Sequence, residues 1–97
     1  MPSHQNIPAK DRPRLDQYID ALAKEIKAVH KEYNYDGAFA GLLNYACTRL
    51  ALAVMPAKRY WTIALISGVF GNIADEFYRR FAAPYEDEQI KKNGDVY

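Results

Sequence analysis

The side chains best suited to chemistry in this sequence are arginines set among aromatic and amide groups. Guanidinium groups bind carboxylates and phosphates in bidentate fashion, and they also stack on aromatic rings. Such residue types anchor many protein interfaces. The pattern therefore indicates a surface that binds an anion or another protein. The candidate ligand- or partner-binding residues are Asn44, Tyr45, Arg49, Arg59, Trp61, Arg79, Arg80 and Tyr85.

Arg49 is the one charged residue in the otherwise apolar and polar stretch 38–54. A charge among apolar neighbours needs a partner. One candidate partner is a carboxylate of the same chain, either Asp75 or an acid of the C-terminal tail. An anionic ligand is the other. Farther along, Glu76 precedes Arg79 and Arg80 by three and four residues, a spacing that predicts an ion-pair ladder along a helix.

The sequence contains no motif typical of catalysis or of metal binding. It lacks a Gly-rich phosphate loop, a nucleophilic serine elbow and a His/Cys cluster at ligand spacing. The single cysteine, Cys47, has largely apolar neighbours and is expected to be a packed thiol. His30 falls near a predicted helix end, where a cation is favoured, and is expected to be a capping or surface group. We therefore expect no enzyme activity, no bound metal and no cofactor.

The stretch 60–81 has the longest helical pattern, and it must position several of these side chains. Large apolar residues fall on one narrow stripe of a helical wheel. They are Ile63, Ile66, Phe70, Ile73, Phe77 and Phe81. A second stripe of small residues predicts close contact with another copy of the chain, although an internal helix crossing or a kink would also explain its glycines. The predicted self-association residues are Ala64, Ser67, Gly68 and Gly71.

The remaining patterns also predict helices, and no segment alternates with the two-residue period of a strand. The predicted helices cover residues 11–33, 38–54, 59–82 and 85–92, with Asp11 as an N-cap and Pro84 ending the third. The predicted fold is all-α, a three-helix up-down-up bundle with a short C-terminal helix or hook. Residues 1–10 are expected to form a flexible lead, and residues 11–97 a single helical domain.

Composition narrows the classes of function. The 97 residues carry a formal net charge of +1, which argues against a nucleic-acid partner. The longest uncharged run, residues 60–74, is shorter than the roughly 20 residues that cross a bilayer. The first ten residues have no hydrophobic segment of the kind that directs secretion. These features predict a cytoplasmic protein without a membrane partner.

Two segments resemble a family of small, uncharacterised helical proteins found in phage genomes and in bacterial or environmental sequences. The segments are GLLNYACTRL at residues 41–50 and EFYRRFAAPYEDEQIKKNGDVY at residues 76–97. The resemblance covers about half of the chain, and its C-terminal part is the most specific. This chain departs from the family pattern at Phe39 and Ala40 and around Ser67 and Gly68. The resemblance implies a helical fold and a phage or mobile-element setting, and no mechanism.

Taken together, these features favour a non-catalytic helical interaction protein. It is expected to associate with itself as a homo-oligomer, a dimer or larger, and to bind a host or phage protein. The alternative is an oligomeric protein that sequesters a small anionic ligand, such as a nucleotide signal. Binding to nucleic acid through the same basic groups is less favoured.

Overall fold

A computed structural model describes residues 7–94, and all of its regular structure is helical. The helices are α1 (Arg12–His30), α2 (Ala38–Val54), α3 (Tyr60–Phe77), a five-residue π-helix (Tyr78–Ala82) and α4 (Ala83–Asn93). The predicted all-α class is confirmed, and α2 has the predicted bounds. Most of the predicted flexible lead, and the last three residues of the tail, lie outside the described residues.

The first helix begins and ends within a few residues of its predicted bounds. Asp11 occupies the N-cap position, but its backbone is already helical and its side chain makes no capping hydrogen bond. Pro13 lies in the first turn, where its missing N–H costs nothing. The helix ends at His30, three residues before the prediction, because the backbone N–H groups of Glu32 and Tyr33 bond to carbonyls only three residues back.

The described residues divide into two compact units, one ending at Val54 and the other beginning at Met55. In the first unit α1 and α2 form a helical hairpin joined by residues 31–37. His30 and Phe39 meet edge to face across this connection, with ring centroids 6.0 Å apart and planes at 71°. Ala38, at the start of α2, is only 4% exposed. A single pair of helices leaves the outward faces of both uncovered.

The second unit begins with a cap built around Thr62, which is 2% exposed. Its hydroxyl accepts a hydrogen bond from the backbone N–H of Arg59, at 3.1 Å. The hydroxyl can donate to the carbonyl of Ala57 at 2.5 Å or to that of Arg59 at 2.8 Å. These bonds satisfy backbone groups that the first turn of a helix leaves unpaired, and they fix the direction in which the chain enters α3.

The predicted end of the third helix at Pro84 is wrong, because the helix continues through the proline. Proline lacks an N–H, and its ring clashes with the carbonyl four residues back, here that of Arg80. A widened π turn relieves this conflict: the N–H of Ala83 bonds to the carbonyl of Tyr78, five residues back. Eighteen residues of α3, five of the π-helix and eleven of α4 therefore run without a non-helical residue, and Gly94 ends them with a φ of 84°.

The described chain buries almost none of its large apolar side chains. Among residues 7–94 only Ala38 and Thr62 are buried, and neither is large. The leucines, isoleucines, valines and aromatic residues of every helix remain wholly or partly exposed. An apolar side chain of this size typically contributes about 1.5–3 kcal/mol when it is removed from water. Most of that stabilisation is unrealised in the helices as described.

Candidate functional site

The outstanding surface of the second unit is the predicted stripe of large apolar residues on α3, which no other described element of that unit covers. Its members recur at intervals of three and four residues, the spacing of the seam between two helices in a coiled coil. Ile73 is 54% exposed and Phe77 64% exposed, while Ile66 is half-buried. No other described element of the second unit meets the prediction that these side chains face a core. The stripe comprises Ile63, Ile66, Phe70, Ile73 and Phe77.

The π turn extends this stripe into α4. One π turn and one α turn together take up about eight residues, so side chains eight apart lie above one another. The Tyr78 hydroxyl accordingly donates a hydrogen bond to the Glu86 carboxylate. The rings of Phe77 and Phe81 lie 5.4 Å apart at 37°. Tyr85, eight residues after Phe77, falls on the same line, so the three rings form a continuous apolar strip.

The contact between Tyr78 and Glu86 changes the pKa of the Tyr78 phenol. The hydrogen bond to Glu86, and then the negative charge of that carboxylate, raise the pKa of the Tyr78 phenol above its ordinary value of 10.0. The neutral phenol donates this bond, whereas the phenolate would face a carboxylate with no proton between them. The raised pKa of Tyr78 is therefore a consequence of the π turn, which brings the phenol and the Glu86 carboxylate together.

The predicted self-association residues Ala64, Ser67, Gly68 and Gly71 are all exposed. A methyl group added at Gly68 or Gly71 would meet no atom within 4 Å. The described part of the chain therefore offers no helix crossing that would require these glycines. Because each costs roughly 1 kcal/mol relative to alanine, they remain unexplained by the chain alone.

A second apolar surface lies in the first unit, where α1 and α2 form the walls of an open groove of about 510 Å³. It contains two of the predicted binding residues, Tyr45 and Arg49, and one acid, Glu25. Asn44, which lies outside the groove lining, accepts a hydrogen bond from the Thr48 hydroxyl at 3.3 Å. The groove is lined by Leu22, Glu25, Ile26, Val29, Leu42, Tyr45, Ala46, Arg49, Leu50 and Ala53.

Arg49 is exposed and makes no ion pair with a described carboxylate of its own unit. The predicted internal partners were Asp75, which belongs to the second unit, and acids of the tail. Within that tail Asp95 lies outside the described residues. An arginine at an apolar groove without a carboxylate partner keeps five N–H donors available.

The other predicted binding residues fall into two groups along the long helix. Arg59 and Trp61 are exposed neighbours at the start of α3. Arg79 and Arg80 both bind the Glu76 carboxylate, as the predicted ion-pair ladder requires, with the Arg80 Nε at 2.8 Å. Tyr85 is 61% exposed on the apolar strip. The arginines near the π turn thus belong to a charge network and do not form an isolated anion site.

No described residues form a constellation that would bind a metal. No cluster of three or more histidine, cysteine or acidic side chains is present in residues 7–94. Cys47 is a half-buried free thiol. The Nδ1 atom of His30 is buried and has no hydrogen-bond partner within the described region, beside the ring of Phe39. None of the described helices is long and apolar enough to cross a membrane.

In residues 7–94 all regular structure is helical, and large apolar side chains are exposed in each of the two units. The chain belongs to a family described as a domain of unknown function (DUF6899), whose model matches residues 1–96. This match confirms the resemblance to an uncharacterised family and extends it over nearly the whole chain. No curated protein matches the sequence. No solved structure matches it either.

Proposed function

We propose that this protein is a non-catalytic helical interaction protein that associates with itself through its long helix. The observation that carries the proposal is the apolar strip of the long helix, from Ile63 to Tyr85, which no other described element of its own unit covers. The three phenylalanines Phe70, Phe77 and Phe81 alone leave about 300 Å² of ring surface exposed. Covering that surface would contribute about 8 kcal/mol per chain. This is comparable to the entire stability of a small domain.

The length of the helix supports a partner outside the chain. At 1.5 Å per residue the run from α3 through α4 is about 50 Å long. The nineteen residues of α1 span about 29 Å and the seventeen of α2 about 26 Å. Neither can cover much more than half of the long helix. With α1 or α2 packed along it, roughly 20 Å of the long helix would still extend beyond either helix and be open to a second molecule.

The predicted up-down-up bundle and single domain over residues 11–97 belong to the same proposal. The groove between α1 and α2 suits an apolar helix, and the uncharged stretch 60–74 is the best match in the chain. Packing of that stretch on the hairpin would complete a three-helix bundle and leave residues 75–93 projecting from it. The projecting end is the part that a second copy would cover, in place of the predicted hook.

Light scattering and native mass spectrometry of the full chain test self-association directly. We expect a dimer or larger, and a chain that stays monomeric at about 100 μM, the Kd of an association worth only about −5.5 kcal/mol, would refute the proposal. Gly68→Leu tests the predicted small-residue contact and should weaken association. Gly41→Leu is the matched control, because a side chain at either glycine meets open space in the chain itself.

The biological partner is proposed to be a host or phage protein, acting on the oligomer in the cytoplasm. Support for the phage setting comes from the motif resemblance alone. Affinity capture with the wild-type chain and with Trp61→Ala as a control would identify such a partner. The exposed Tyr60 and Trp61, at the start of α3, are of the residue types that anchor interfaces. A partner that binds both chains equally would not use this end of the helix.

A second candidate function is sequestration of a small anionic ligand. The specific observation is Arg49, exposed at an apolar groove beside Tyr45 and without an ion pair to a described acid of its unit. A phosphate could bind the guanidinium while a base stacked on the tyrosine ring. Thermal-shift measurements with nucleotides should then show stabilisation that Arg49→Gln removes. Salt-dependent retention of DNA or RNA would instead indicate the less favoured nucleic-acid function.

A further inference from the structure

The charges beside the apolar strip follow a symmetric order. Residues at four-residue intervals on the helix from α3 to α4 are Glu76, Arg80, Pro84, Glu88 and Lys92. Their charges read negative, positive, neutral, negative, positive. When this order is inverted about Pro84, each acid falls opposite a base. A two-fold axis through Pro84 would therefore place Glu76 against Lys92 of a second copy, and Arg80 against Glu88.

From this we infer that two copies of the chain pair antiparallel along residues 76–92, with the two-fold axis at Pro84. The inference rests on the proposed function, because it names the partner and the register of the same helix. In a two-fold contact residue i meets residue j while j meets i, which is the relation these charges satisfy. The contact is separate from the small-residue face at residues 64–71.

The apolar side chains fit the same register. Phe77 and Phe81 lie seven and three residues before Pro84, and Tyr85 lies one residue after it. Inversion about Pro84 places the partner's Tyr85 at the level of residue 83 and the partner's Phe81 at the level of residue 87, so the Phe81 and Tyr85 rings of the two copies alternate along the axis, whereas Phe77 lies beyond them at the level opposite residue 91. Phe81 and Tyr85 are 63% and 61% exposed, so each offers most of its ring to such a contact. Aromatic rings interleaved in this way supply a packed seam between helices.

The π turn determines which charges lie beside the seam. Arg80 precedes Phe81 by one residue and Glu88 follows Tyr85 by three, so both lie along one edge of the strip. Arg79 and Asp87 each follow a strip residue by two, which puts them on the opposite side of the helix. Arg80 is exposed although it binds Glu76, and its remaining donors can reach a second carboxylate. Charge pairs of this kind fix register and orientation more than affinity.

Three variants, compared with the wild-type chain by sedimentation equilibrium, test whether the two helices pair antiparallel about Pro84. Arg80→Glu and Glu88→Arg should each weaken dimerisation about tenfold, because two opposed pairs per dimer become repulsive. The double variant Arg80→Glu/Glu88→Arg restores both pairs and should dimerise within about threefold of wild type. Parallel helices would oppose each residue to itself and would show no such recovery.

The matched controls are Arg79→Glu, Asp87→Arg and the double variant that carries both substitutions. Arg79 also binds Glu76, so its reversal loses the same intrahelical interaction without altering the seam. Circular dichroism at high concentration confirms that every chain remains helical. The inference would be overturned if both sets of variants weakened dimerisation equally, or if the Arg80→Glu/Glu88→Arg double variant lost affinity additively. Either result would leave self-association intact. A monomeric wild-type chain would instead overturn the proposed function.

Discussion

Replacing Phe81 by alanine is the most informative single change in this protein. The side chain is 63% exposed on the apolar strip, which corresponds to about 125 Å² of ring surface. If a second copy covers that surface, its loss removes about 3 kcal/mol per chain at 25 cal/mol per Å². A symmetric dimer contains the residue twice, so the upper limit is about 6 kcal/mol, or roughly four orders of magnitude in Kd.

The measured effect will be smaller than this limit, because buried area converts incompletely into affinity. We expect Phe81→Ala to weaken dimerisation at least a hundredfold in sedimentation equilibrium. Alanine has the highest helix propensity, so the substitution does not weaken the helix itself. Circular dichroism of the variant should therefore show unchanged or higher helix content where the protein is fully associated. Loss of association with retained helix content identifies the ring as a contact.

Ile90→Ala is the control for this experiment. Ile90 is 43% exposed, but it follows Tyr85 by five residues and so lies away from the strip. Its truncation removes comparable apolar surface from the same end of the helix and should change Kd less than threefold. Equal weakening by the two substitutions would show that the apolar surface matters without a defined seam. Dimerisation of Phe81→Ala at the wild-type concentration would refute the reasoning outright.

Three further changes test the local structure. Thr62→Val should destabilise the fold by about 1–3 kcal/mol in denaturant unfolding, because it removes the hydroxyl that serves the backbone of Arg59 and Ala57; equal midpoints would exclude the cap. Glu86 raises the pKa of Tyr78, so the hydrogen bond between the two side chains stabilises the fold at neutral pH. This stabilisation is lost when the phenol deprotonates as the pH rises above about 10. Glu86→Gln should lower that pKa in a spectroscopic titration, with Glu88→Gln as a control that leaves it unchanged. Pro84→Ala should raise the thermal midpoint by relieving a helix-interior proline, yet weaken dimerisation if the π turn closes to an α turn; a weaker helix would contradict this account.

Helix content was predictable from sequence because apolar periodicity is a local signal. The bounds of α2 follow from Gly37 before it and Pro56 after it, both of which act on the neighbouring backbone. The ion pairs of Glu76 with two arginines also follow from spacing along one helix. In each case the interaction partners lie within about one turn of each other.

The continuation of the helix through Pro84 could not be read from residue preferences. A proline after the first turn normally ends a helix or opens the next, and the sequence analysis placed the end of the third helix at Pro84 on that ground. Whether the helix instead widens depends on the balance between a lost hydrogen bond and the bonds retained on both sides. The one sequence signal was the pair Tyr78 and Glu86, whose eight-residue spacing matches a π turn followed by an α turn.

The candidate site was predictable only in outline. Sequence predicts that residues 60–81 carry more apolar surface than one neighbour could cover, and it assigns the large side chains to a core; the number of neighbours stays a prediction. The binding residues were chosen by type, and the structure separates them: Tyr45 and Arg49 share a groove, whereas Arg79 and Arg80 share Glu76. Residue type cannot distinguish an arginine that binds a neighbouring acid from one with free donors.

The widened turn has a consequence for how this chain can tolerate change in length. Each residue of an α-helix rotates the following side chains by roughly 100°. Deleting one residue between positions 78 and 82 would let the turn close to an α turn, and Tyr85 would then follow Phe77 by seven residues, about 700°, and stay within roughly 20° of the strip. Loss of a single amino acid within these five positions should therefore preserve the strip, whereas closing the turn with all five residues retained would swing Tyr85 by about 80°.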